Sequence, residues 1–500
     1  MSDSQVELNP NKIVRYLKKP ARELTKQDLI KFIEDNDIGS INFRYVGGDG
    51  RLKTLNFVIN HKSQLDQLLS AGERVDGSSL FSYIDAASSD LYVIPRYKTA
   101  YVNPFATIPT VDMLCAYYTK EGDPLPSAPG NILRKAHQAL HDSLGLKLEA
   151  MGELEYYVLS DRQNSYPSMA QKGYHESSPF CKWEMLRYEA MQAIAQARGN
   201  IKYGHSEVGH IFQEDQEIEQ NEIEFIPVAI EDAADQVVIA KWVLRMIGYR
   251  YGVSISFAPK IVVGHAGSGL HIHTRLVKAG KNVMTEGNTL SDLAKRNIAG
   301  YLSLAPSLTA FGNTVPTSYL RLVPHQEAPT NICWGDRNRS VLVRVPLGWL
   351  DVKNMIGDAN PAEKEAVKEF TDNQTIEFRC PDGSANIHLL LAGLAVAARH
   401  GLEMETALEL AEKLYVDVNI FHEEHKSICD KLPQLPTSCW ESAECLSKDR
   451  KVYERDGVFP AIVIDGLIET LKNYNDRDLS EKCHGKADEI SKLVTEYFHC

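Results

Sequence analysis

The sequence predicts a mixed α+β protein with a small first part and a large second part, and three observations lead to this prediction. Residues 41–59 (INFRYVGGDGRLKTLNFVI) hold two alternating apolar and polar runs around a glycine-rich turn, which is the pattern of a β-hairpin. Beyond residue 126, runs in which apolar and polar residues alternate, as in strands, are followed in turn by amphipathic stretches of helical period. Between the two parts, residues 121–130 are rich in glycine and proline and indicate the boundary.

The first part opens with a polar and basic stretch, residues 1–20, which we expect to be a mobile arm. Thr25 precedes a short amphipathic run that ends at Asp35, so we predict a helix capped by the threonine hydroxyl. Residues 74–95 are expected to form a loop that holds Asp76, followed by a strand. The chain is therefore divided into the arm and two domains, at 1–20, 21–125 and 126–500.

In the large domain, strands are predicted to alternate with helices. One amphipathic helix starts at Ser127 or Pro129 and runs through Leu144, where Gly145 ends it, because proline suits the first helical turn and glycine the residue after the last. The other predicted helices cover 182–198, 229–251 and 385–403. The predicted strands cover 148–159, 222–227, 269–276 and 375–379. The polar stretch 351–373 has the composition of a surface insertion.

Composition excludes several classes of protein. The net charge of −13 argues against non-specific binding to nucleic acid. No apolar run approaches the roughly 20 residues of a membrane helix, and the first residues lack the apolar core of a signal peptide. The nine cysteines show no CxxC spacing, so neither a zinc cluster nor a disulfide framework is indicated. We therefore expect a cytoplasmic protein that binds neither nucleic acid nor membrane.

Four of the predicted strands place ionisable residues on one face, because side chains i and i+2 of a strand point the same way. The pairs are Glu153 with Glu155, Glu222 with Glu224, His271 with His273, and Glu377 with Arg379. On a single strand, a solvated antiparallel sheet gives the same pattern. Here, however, no lysine is interleaved, and carboxylates gathered on one concave face would repel each other. Oxygen ligands with an occasional imidazole suit Mg²⁺ or Mn²⁺, which would relieve this repulsion.

A group of arginines lies on a stretch without helical period, residues 313–346. It contains Arg321, Arg337, Arg339 and Arg344, with Glu327 between the first two. A guanidinium fits carboxylate or phosphate with two hydrogen bonds and keeps its charge, although a solvated basic loop is the alternative interpretation. No GxxxxGK[ST] motif is present, so a P-loop is excluded. Carboxylates and arginines together predict a metal-dependent enzyme that handles phosphate on a concave sheet.

Eight motifs, in this order along the chain, resemble those of glutamine synthetase of the class I type. They are VDGSS (75–79), GELEYYVL (152–159), HSEV (205–208), QNEIEF (220–225), GSGLHIH (267–273), SYLRLVPHQEAP (318–329), RNRSVLVRVP (337–346) and IEFRCPDGSAN (376–386). The resemblance spans residues 41–403. Eight motifs in order are a specific match, whereas a single DGSS or RNRS would be weak.

The resemblance implies a small N-terminal β-grasp-like domain and a large catalytic domain, whose curved antiparallel sheet is flanked by helices and holds the site. It implies a homo-oligomer of two stacked hexameric rings, in which adjacent subunits share each active site. It also implies a ligase of nitrogen assimilation that makes glutamine from glutamate, ammonium and ATP through a γ-glutamyl phosphate. At least two Mg²⁺ or Mn²⁺ ions per site are implied.

The resemblance further implies which residues bind metal and amino acid. One metal ion would be held by Glu155, Glu207 and Glu222, and a second by Glu153, His271 and Glu377. Arg321 would bind the α-carboxylate of glutamate, and Arg379 would bind its side-chain carboxylate. Gly267 would contact the amino acid through its backbone.

The remaining implied roles concern the nucleotide and the reaction. His273, Arg339 and Arg344 would bind the nucleotide, and Arg339 would also stabilise the phosphoryl group in transfer. Asp76 of a neighbouring subunit would bind ammonium and take its proton, and Glu327 would close over the intermediate.

The chain departs from the family pattern at several positions. Ala266 stands where asparagine is usual beside the glutamate, and Thr375 stands where a basic residue often contacts the nucleotide. Extra residues between HSEV and QNEIEF leave Glu217 and Glu219 as competitors of Glu222 for the metal. One alternative function is therefore a γ-glutamyl ligase for another amine. A non-catalytic structural or regulatory paralogue is a second alternative, although every implied carboxylate ligand is present.

Overall fold

The β-hairpin expected at residues 41–59 begins the smaller of two large sheets. The structure is a computed structural model that describes residues 4–213, 215–323, 328–348, 353–364, 373–479 and 486–500. The small sheet contains β1 (Ser40–Val46), β2 (Leu52–Val58), β3 (Glu73–Asp76), β4 (Asp90–Pro95), β5 (Tyr101–Val102) and β6 (Thr110–Tyr118). The large sheet contains β7 (Lys147–Asp161), β8 (Ile201–Gln213), β9 (Gln216–Phe225), β10 (Val228–Ala229), β11 (Ser254–Ser256), β12 (Leu270–Lys278) and β13 (Lys281–Asn282). A separate pair, β14 (Thr285–Glu286) and β15 (Thr289–Leu290), precedes its last strands, β16 (Trp334–Asp336), β17 (Val343–Val345) and β18 (Ile376–Phe378).

Most of the helices belong to the second part of the chain. The first four are α1 (Ser4–Glu7), α2 (Lys12–Leu17), α3 (Lys26–Asp35) and α4 (Lys62–Ala71). The next seven are α5 (Pro129–Leu144), α6 (Glu184–Gln196), α7 (Ile230–Tyr251), α8 (Asp292–Gly312), α9 (Ser318–Arg321), α10 (Met355–Ala359) and α11 (Ile387–Glu403). The last are α12 (Ala407–Lys413), α13 (Lys426–Cys429), α14 (Cys439–Glu454), α15 (Ala461–Asn473) and α16 (Ala487–Glu496).

The small sheet has the strand order β2–β1–β6–β4–β3, and its β1–β2 pair confirms the predicted hairpin. The predicted cap of α3 is also confirmed. The Thr25 hydroxyl accepts a hydrogen bond from the Asp28 N–H, and the Asp28 carboxylate accepts one from the Thr25 N–H. These reciprocal bonds satisfy backbone donors that a helix start otherwise leaves unpaired.

The expectation of a mobile arm is wrong for residues 12–17. They form α2, whose Ile13 and Val14 are buried in the core of the small sheet. The Asn11 side chain caps this helix by accepting hydrogen bonds from the N–H groups of both residues. Two adjacent apolar side chains and a cap therefore anchor a segment whose overall composition is polar.

The large sheet has the strand order β16–β17–β18–β12–β7–β9–β8. Its neighbouring strands are antiparallel except for β16 and β17, which confirms the predicted curved antiparallel sheet apart from one parallel pair at its edge. The 15-residue β7 lies between β12 and β9. Its Leu154, Tyr156 and Val158 are fully buried in one core with residues of α5, α7 and α11. The helices therefore cover one face of the sheet and leave the other face for the ionisable residues.

Several elements were not predicted from the sequence, and their composition explains why. Helix α8 has buried residues around most of its circumference and contains Pro306, so its apolar positions show no single helical face. Strand β8 pairs with β9 through register shifts between Ile201 and Tyr203 and between Ser206 and His210, which interrupt its alternation. In the predicted surface stretch 351–373, the described residues 353–364 are nearly all exposed.

No single helix in the described ranges is long and apolar enough to cross a membrane. Only the pair α11 and α12 passes on length and composition together, and the two helices are bent by 106°. Helix α11 is a core helix of the large domain, since most of its side chains are buried.

A charged cluster joins the small sheet to the helices of the large domain. Arg96, which follows β4, makes two hydrogen bonds of 2.8 and 2.9 Å to Asp235 of α7, and His388 of α11 lies 3.2 Å from the same carboxylate. Nearby, Lys98 lies 2.6 Å from Asp232. Burial alone would raise the pKa of Asp235, but the charge of Arg96 and the hydrogen bonds from His388 and Arg96 hold it well below its ordinary value.

We expect Arg96→Met to lower the free energy of unfolding by about 2 kcal/mol, because it leaves the Asp235 carboxylate buried without its main partner. Since the pKa of Asp235 is lowered by folding, the contribution is present above the unfolded pKa of about 4 and is lost as the pH falls below it. Thermal unfolding at neutral and acidic pH measures it, with Arg22→Met, an exposed arginine, as the control. A variant as stable as the wild type at neutral pH would contradict this expectation.

Candidate active site

The register of the large sheet gathers the predicted ionisable residues on one surface, because directly paired residues of neighbouring strands point the same way. Glu153 of β7 is paired with His271 of β12 on one side and with Glu224 of β9 on the other. The adjacent pairs are Glu155 with Glu222, Glu222 with His205, His273 with Glu377, and Glu377 with Arg344. We name this surface the carboxylate face; it comprises Glu153, Glu155, Glu222, Glu224 and Glu377 with His205, His271 and His273.

The two histidines of β12 lie between carboxylates of the neighbouring strands. His271 Nδ1 lies 3.0 Å from Glu153 and 3.5 Å from Glu377, and His273 Nε2 lies 2.8 Å from Glu153. The other ring nitrogen of His273 lies 3.0 Å from the hydroxyl of Thr375. The threonine that replaces a basic residue therefore orients a histidine of the carboxylate face.

The end of the carboxylate face that lies farther from Glu377 is formed by residues of β7, β8 and β9. Glu155 accepts hydrogen bonds from the Gly269 N–H at 2.7 Å and from Gln220 Nε2 at 3.1 Å. His205 lies 3.4 Å from Glu222 and 3.8 Å from Glu207. All three carboxylates that were predicted to hold the first metal ion therefore lie near one another around this end.

Glu217 and Glu219, the competitors of Glu222, lie on the opposite face of β9. Glu217 is buried against His210 at 2.7 Å, and Glu219 accepts a hydrogen bond of 2.7 Å from the Lys182 N–H. Because β9 keeps strict register with β7, odd-numbered residues point away from Glu155. Of these three residues, the geometry leaves Glu222 as the one on the carboxylate face.

The burial of like charges changes the pKa values of these residues. Burial raises the pKa of Glu222 well above its ordinary value, and the charges of Glu153, Glu155, Glu207 and Glu224 raise it further. At Glu153, burial acts in the same direction, but the neighbouring His273 and His271 outweigh it and hold the pKa well below the usual range. The neighbouring histidines therefore lower the pKa of Glu153, whereas burial and the neighbouring carboxylates all raise that of Glu222.

Among the described residues, two groups bring one ligand atom from each of three residues to within 4.8 Å of one another. They are Glu153 with His273 and Glu377, and His205 with Glu222 and Glu224. The first group has His273 in place of the predicted His271, and the second adds two residues not predicted as ligands. Carboxylates with imidazole are suitable donors for Mg²⁺ or Mn²⁺, and a cation would remove the repulsion that raises the pKa of Glu222.

The metal ligands implied by the family resemblance did not include His205 or Glu224, although the sequence held signals for both. Glu224 shares a strand face with Glu222, and His205 belongs to the HSEV motif. Glu224 already accepts a hydrogen bond of 2.7 Å from Lys202 Nζ and one from the Tyr203 hydroxyl. A cation at this group would therefore compete with Lys202 for Glu224.

Three of the predicted arginines converge next to β18. Arg344 Nη1 and Arg379 Nε each donate a 2.9 Å hydrogen bond to Glu377, one to each carboxylate oxygen. Arg321 donates to the carbonyl of Cys380 at 2.7 Å, and its Nη2 lies 3.4 Å from His271. Positive charge therefore borders the carboxylate face on the side of Glu377.

Backbone groups at residues 266–269 approach these side chains closely. A Cβ at Gly267 would lie 2.9 Å from Arg321 Cγ, and a Cβ at Gly269 would lie 2.7 Å from His271 Nε2. Ala266, which replaces the usual asparagine, donates its N–H to Gln171 Oε1 at 2.8 Å. Its carbonyl accepts a hydrogen bond of 2.5 Å from the Tyr157 hydroxyl.

Among the described residues, Asp76 and Arg339 are not brought into contact with the carboxylate face. Asp76 ends β3 of the small sheet and is exposed, and its carboxylate accepts hydrogen bonds from the hydroxyls of Ser78 and Ser79. The hydrogen bond from Ser79, followed by those from Ser78 and Ser89, holds the pKa of Asp76 well below its usual range. Arg339 is exposed, and Glu327 lies outside the described residues.

Comparisons with known proteins agree on one family. The family model described as glutamine synthetase, beta-Grasp domain, matches residues 37–120, and the one described as glutamine synthetase, catalytic domain, matches residues 126–485. Glutamine synthetase of Mycolicibacterium smegmatis is 28% identical over 492 residues, which cover 90% of this chain and 95% of the relative. That of Thermus thermophilus is 28% identical over 449 residues, covering 87% and 92%.

Solved structures show the same fold at low sequence identity. A cryoEM structure of Plasmodium falciparum glutamine synthetase is similar with a TM-score of 0.72 at 20% identity, covering 91% of this chain and 96% of that one. A ligand-free structure titled GmaS has a TM-score of 0.69 at 18% identity, covering 90% and 96%.

We expect Mn²⁺ binding to release a proton from Glu222, because a cation stabilises the charged carboxylate that burial and its neighbours disfavour. The affinity for Mn²⁺ should therefore rise with pH. Calorimetric titration in two buffers of different ionisation heat counts the released protons. Glu222→Gln should bind Mn²⁺ more weakly and release fewer protons, whereas Glu409→Gln, an exposed residue of α12, should behave as the wild type. Equal proton release by the Glu222 variant and the wild type would show that another group titrates.

Proposed function

Since this chain belongs to the glutamine synthetase family, we propose that it joins ammonia to the γ-carboxylate of L-glutamate with ATP and releases glutamine, ADP and phosphate. The supporting observation is the carboxylate face, bordered by arginines at Glu377. Moving a phosphoryl group onto a carboxylate brings several negative charges together, and catalysis then depends on positioning and neutralising them. Phosphorylation turns the unreactive γ-carboxylate into an acyl phosphate that ammonia can attack.

We infer that two groups of residues hold divalent cations, Mg²⁺ or Mn²⁺. Glu155, Glu207 and Glu222 hold the first, and Glu153, Glu377 and His271 hold the second, with His273 close enough to Glu153 to share that role. The cations supply charge neutralisation for the phosphates of ATP and for the phosphoryl group in transfer. The Gly269 N–H keeps Glu155 turned towards the face, and Thr375 keeps the ring of His273 in place.

The arginines bind the anionic substrates in this proposal. Arg321 binds the α-carboxylate of glutamate and Arg379 its side-chain carboxylate, while the Gly267 backbone contacts the amino acid. Arg339, Arg344 and His273 bind the nucleotide. Arg344 Nε is buried and has no hydrogen-bond partner among the described residues, so it retains a donor for a phosphate oxygen.

Asp76 and Glu327 act on the amine and the intermediate. The hydroxyls that lower the pKa of Asp76 keep it ionised, so it can attract ammonium. Its role in taking the ammonium proton is the one that the family resemblance implies. Because Asp76 belongs to the small domain, we propose that it completes the site of a neighbouring subunit in a homo-oligomer of two stacked hexameric rings. Glu327 closes over the acyl phosphate and excludes water.

The eight cysteines that the structure describes are free thiols, which supports a reducing cytoplasm.

We expect ammonium to be the preferred acceptor and Ala266→Asn to change the KM for glutamate more than the KM for ammonium, because residue 266 adjoins Gly267. One hydrogen bond to a charged ligand corresponds to about tenfold to a hundredfold in affinity. Steady-state kinetics of ATP-dependent phosphate release, with ammonium, putrescine and ethanolamine as acceptors, measures both effects. A higher kcat/KM for one of the amines than for ammonium would favour the alternative γ-glutamyl ligase.

We expect inactive Asp76→Ala subunits mixed with inactive Glu377→Ala subunits to recover part of the activity. Some interfaces of a mixed oligomer would pair an intact Asp76 with an intact carboxylate face, whereas neither variant alone can do so. Activity is measured after joint refolding, and mass spectrometry verifies that the oligomers are mixed. The control is a mixture of Glu377→Ala with Glu155→Ala, which damages the same half of the site twice and should stay inactive. Verified mixed oligomers without recovery would contradict a shared site.

A further inference from the structure

Gln220 is a fully buried amide next to the Glu155 end of the carboxylate face. It is paired with Tyr157 of β7, and this pair lies two residues along each strand from the pair of Glu155 and Glu222. Its position in the strand therefore turns its side chain to the same face as the predicted metal ligands. None of the roles assigned above uses this residue.

The side chain of Gln220 contacts three separate elements. Its Nε2 lies 3.0 Å from the Gly267 carbonyl and 3.1 Å from Glu155 Oε2, with the Ser268 hydroxyl at 3.3 Å. Its Oε1 accepts a 2.9 Å hydrogen bond from the Gly209 N–H of β8. A primary amide has two N–H donors, and the two nearest acceptors use both of them.

These partners determine which way the amide points. The Gly209 N–H can only donate, and the Gly267 carbonyl and the Glu155 carboxylate act as acceptors, so exchanging the nitrogen and oxygen of Gln220 would leave all three contacts repulsive. A Cβ on Gly209 would lie 2.4 Å from Gln220 Oε1 and 2.8 Å from the Tyr157 hydroxyl. The hydrogen-bond pattern therefore gives the amide one orientation, and Gly209 lies too close to it to carry a side chain.

We propose that Gln220 is a positioning residue that sets the distance between the amino-acid contact at Gly267 and the metal ligand Glu155. The proposal rests on the glutamate and metal roles proposed above. One amide holds both groups, so the glutamate carboxylate to be phosphorylated and the cation that neutralises the phosphate keep a fixed relation. A shift of this amide would move both together.

Two substitutions separate this role from simple packing. Gln220→Met keeps the length of the side chain and loses both the donor and the acceptor. Gln220→Glu keeps an acceptor for the Gly209 N–H but cannot donate to Gly267 or Glu155. If the donated hydrogen bonds matter, both variants should raise the KM for glutamate by about tenfold while the KM for ATP changes by less than about twofold.

The experiment uses the full chain, and thermal unfolding first establishes that each variant folds. Gln138→Met, an exposed residue of α5, is the matched control and should keep wild-type constants. Titration with Mn²⁺ alone provides a readout that needs no turnover, and Gln220→Met should bind the metal several-fold more weakly because Glu155 loses a hydrogen bond.

A wild-type KM for glutamate in Gln220→Glu would overturn the proposal. Equal increases in the KM values of glutamate and ATP, together with a lower Tm, would also overturn it and assign Gln220 to packing. A wild-type chain that makes no glutamine contradicts the proposed function instead, and the Mn²⁺ titration of Gln220→Met then still decides whether this amide positions Glu155.

Discussion

The repulsion among carboxylates that are buried together on one face of the large sheet is the constraint on which the rest of the structure depends. Five glutamates lie on this face, where removing a carboxylate from water costs free energy unless a partner compensates it. Histidines neutralise the charge around Glu153, and Arg344 and Arg379 neutralise Glu377. Around Glu222, burial and the neighbouring carboxylates raise the pKa, so this end of the face favours a bound cation.

The strands that carry these charges also build the core of the large domain. Along β7, Glu153 and Glu155 alternate with Leu154 and Tyr156, which are buried against the helices on the other side. A helix-backed strand cannot slip by one residue without exposing its apolar side chains and burying its carboxylates among them. The hydrophobic core therefore fixes the separation of these carboxylates. Burial of the apolar side chains on the opposite face supplies the free energy that opposes the repulsion among them.

Short contacts also hold the loop at residues 266–269 against the large sheet. Glycines at 267 and 269 let the backbone approach Arg321 and His271, and Gln220 ties the same loop to Glu155. At the domain junction, Arg96 fixes the small sheet to Asp235. Because Asp76 projects from that small sheet, the junction also determines where it is presented to a neighbouring subunit in the proposed oligomer.

The sequence by itself determined which residues of a strand share a face, where α3 begins and α5 ends, and the order of the family motifs. These properties depend on the local backbone, in which side chains alternate with a period of two and caps act within one helical turn. Only the tertiary structure decided that His205 lies beside Glu222, that β9 begins at Gln216 and so turns Glu217 and Glu219 away, and that Ile13 and Val14 are packed. Strand register and packing partners arise from contacts between residues distant in sequence, so no local pattern encodes them.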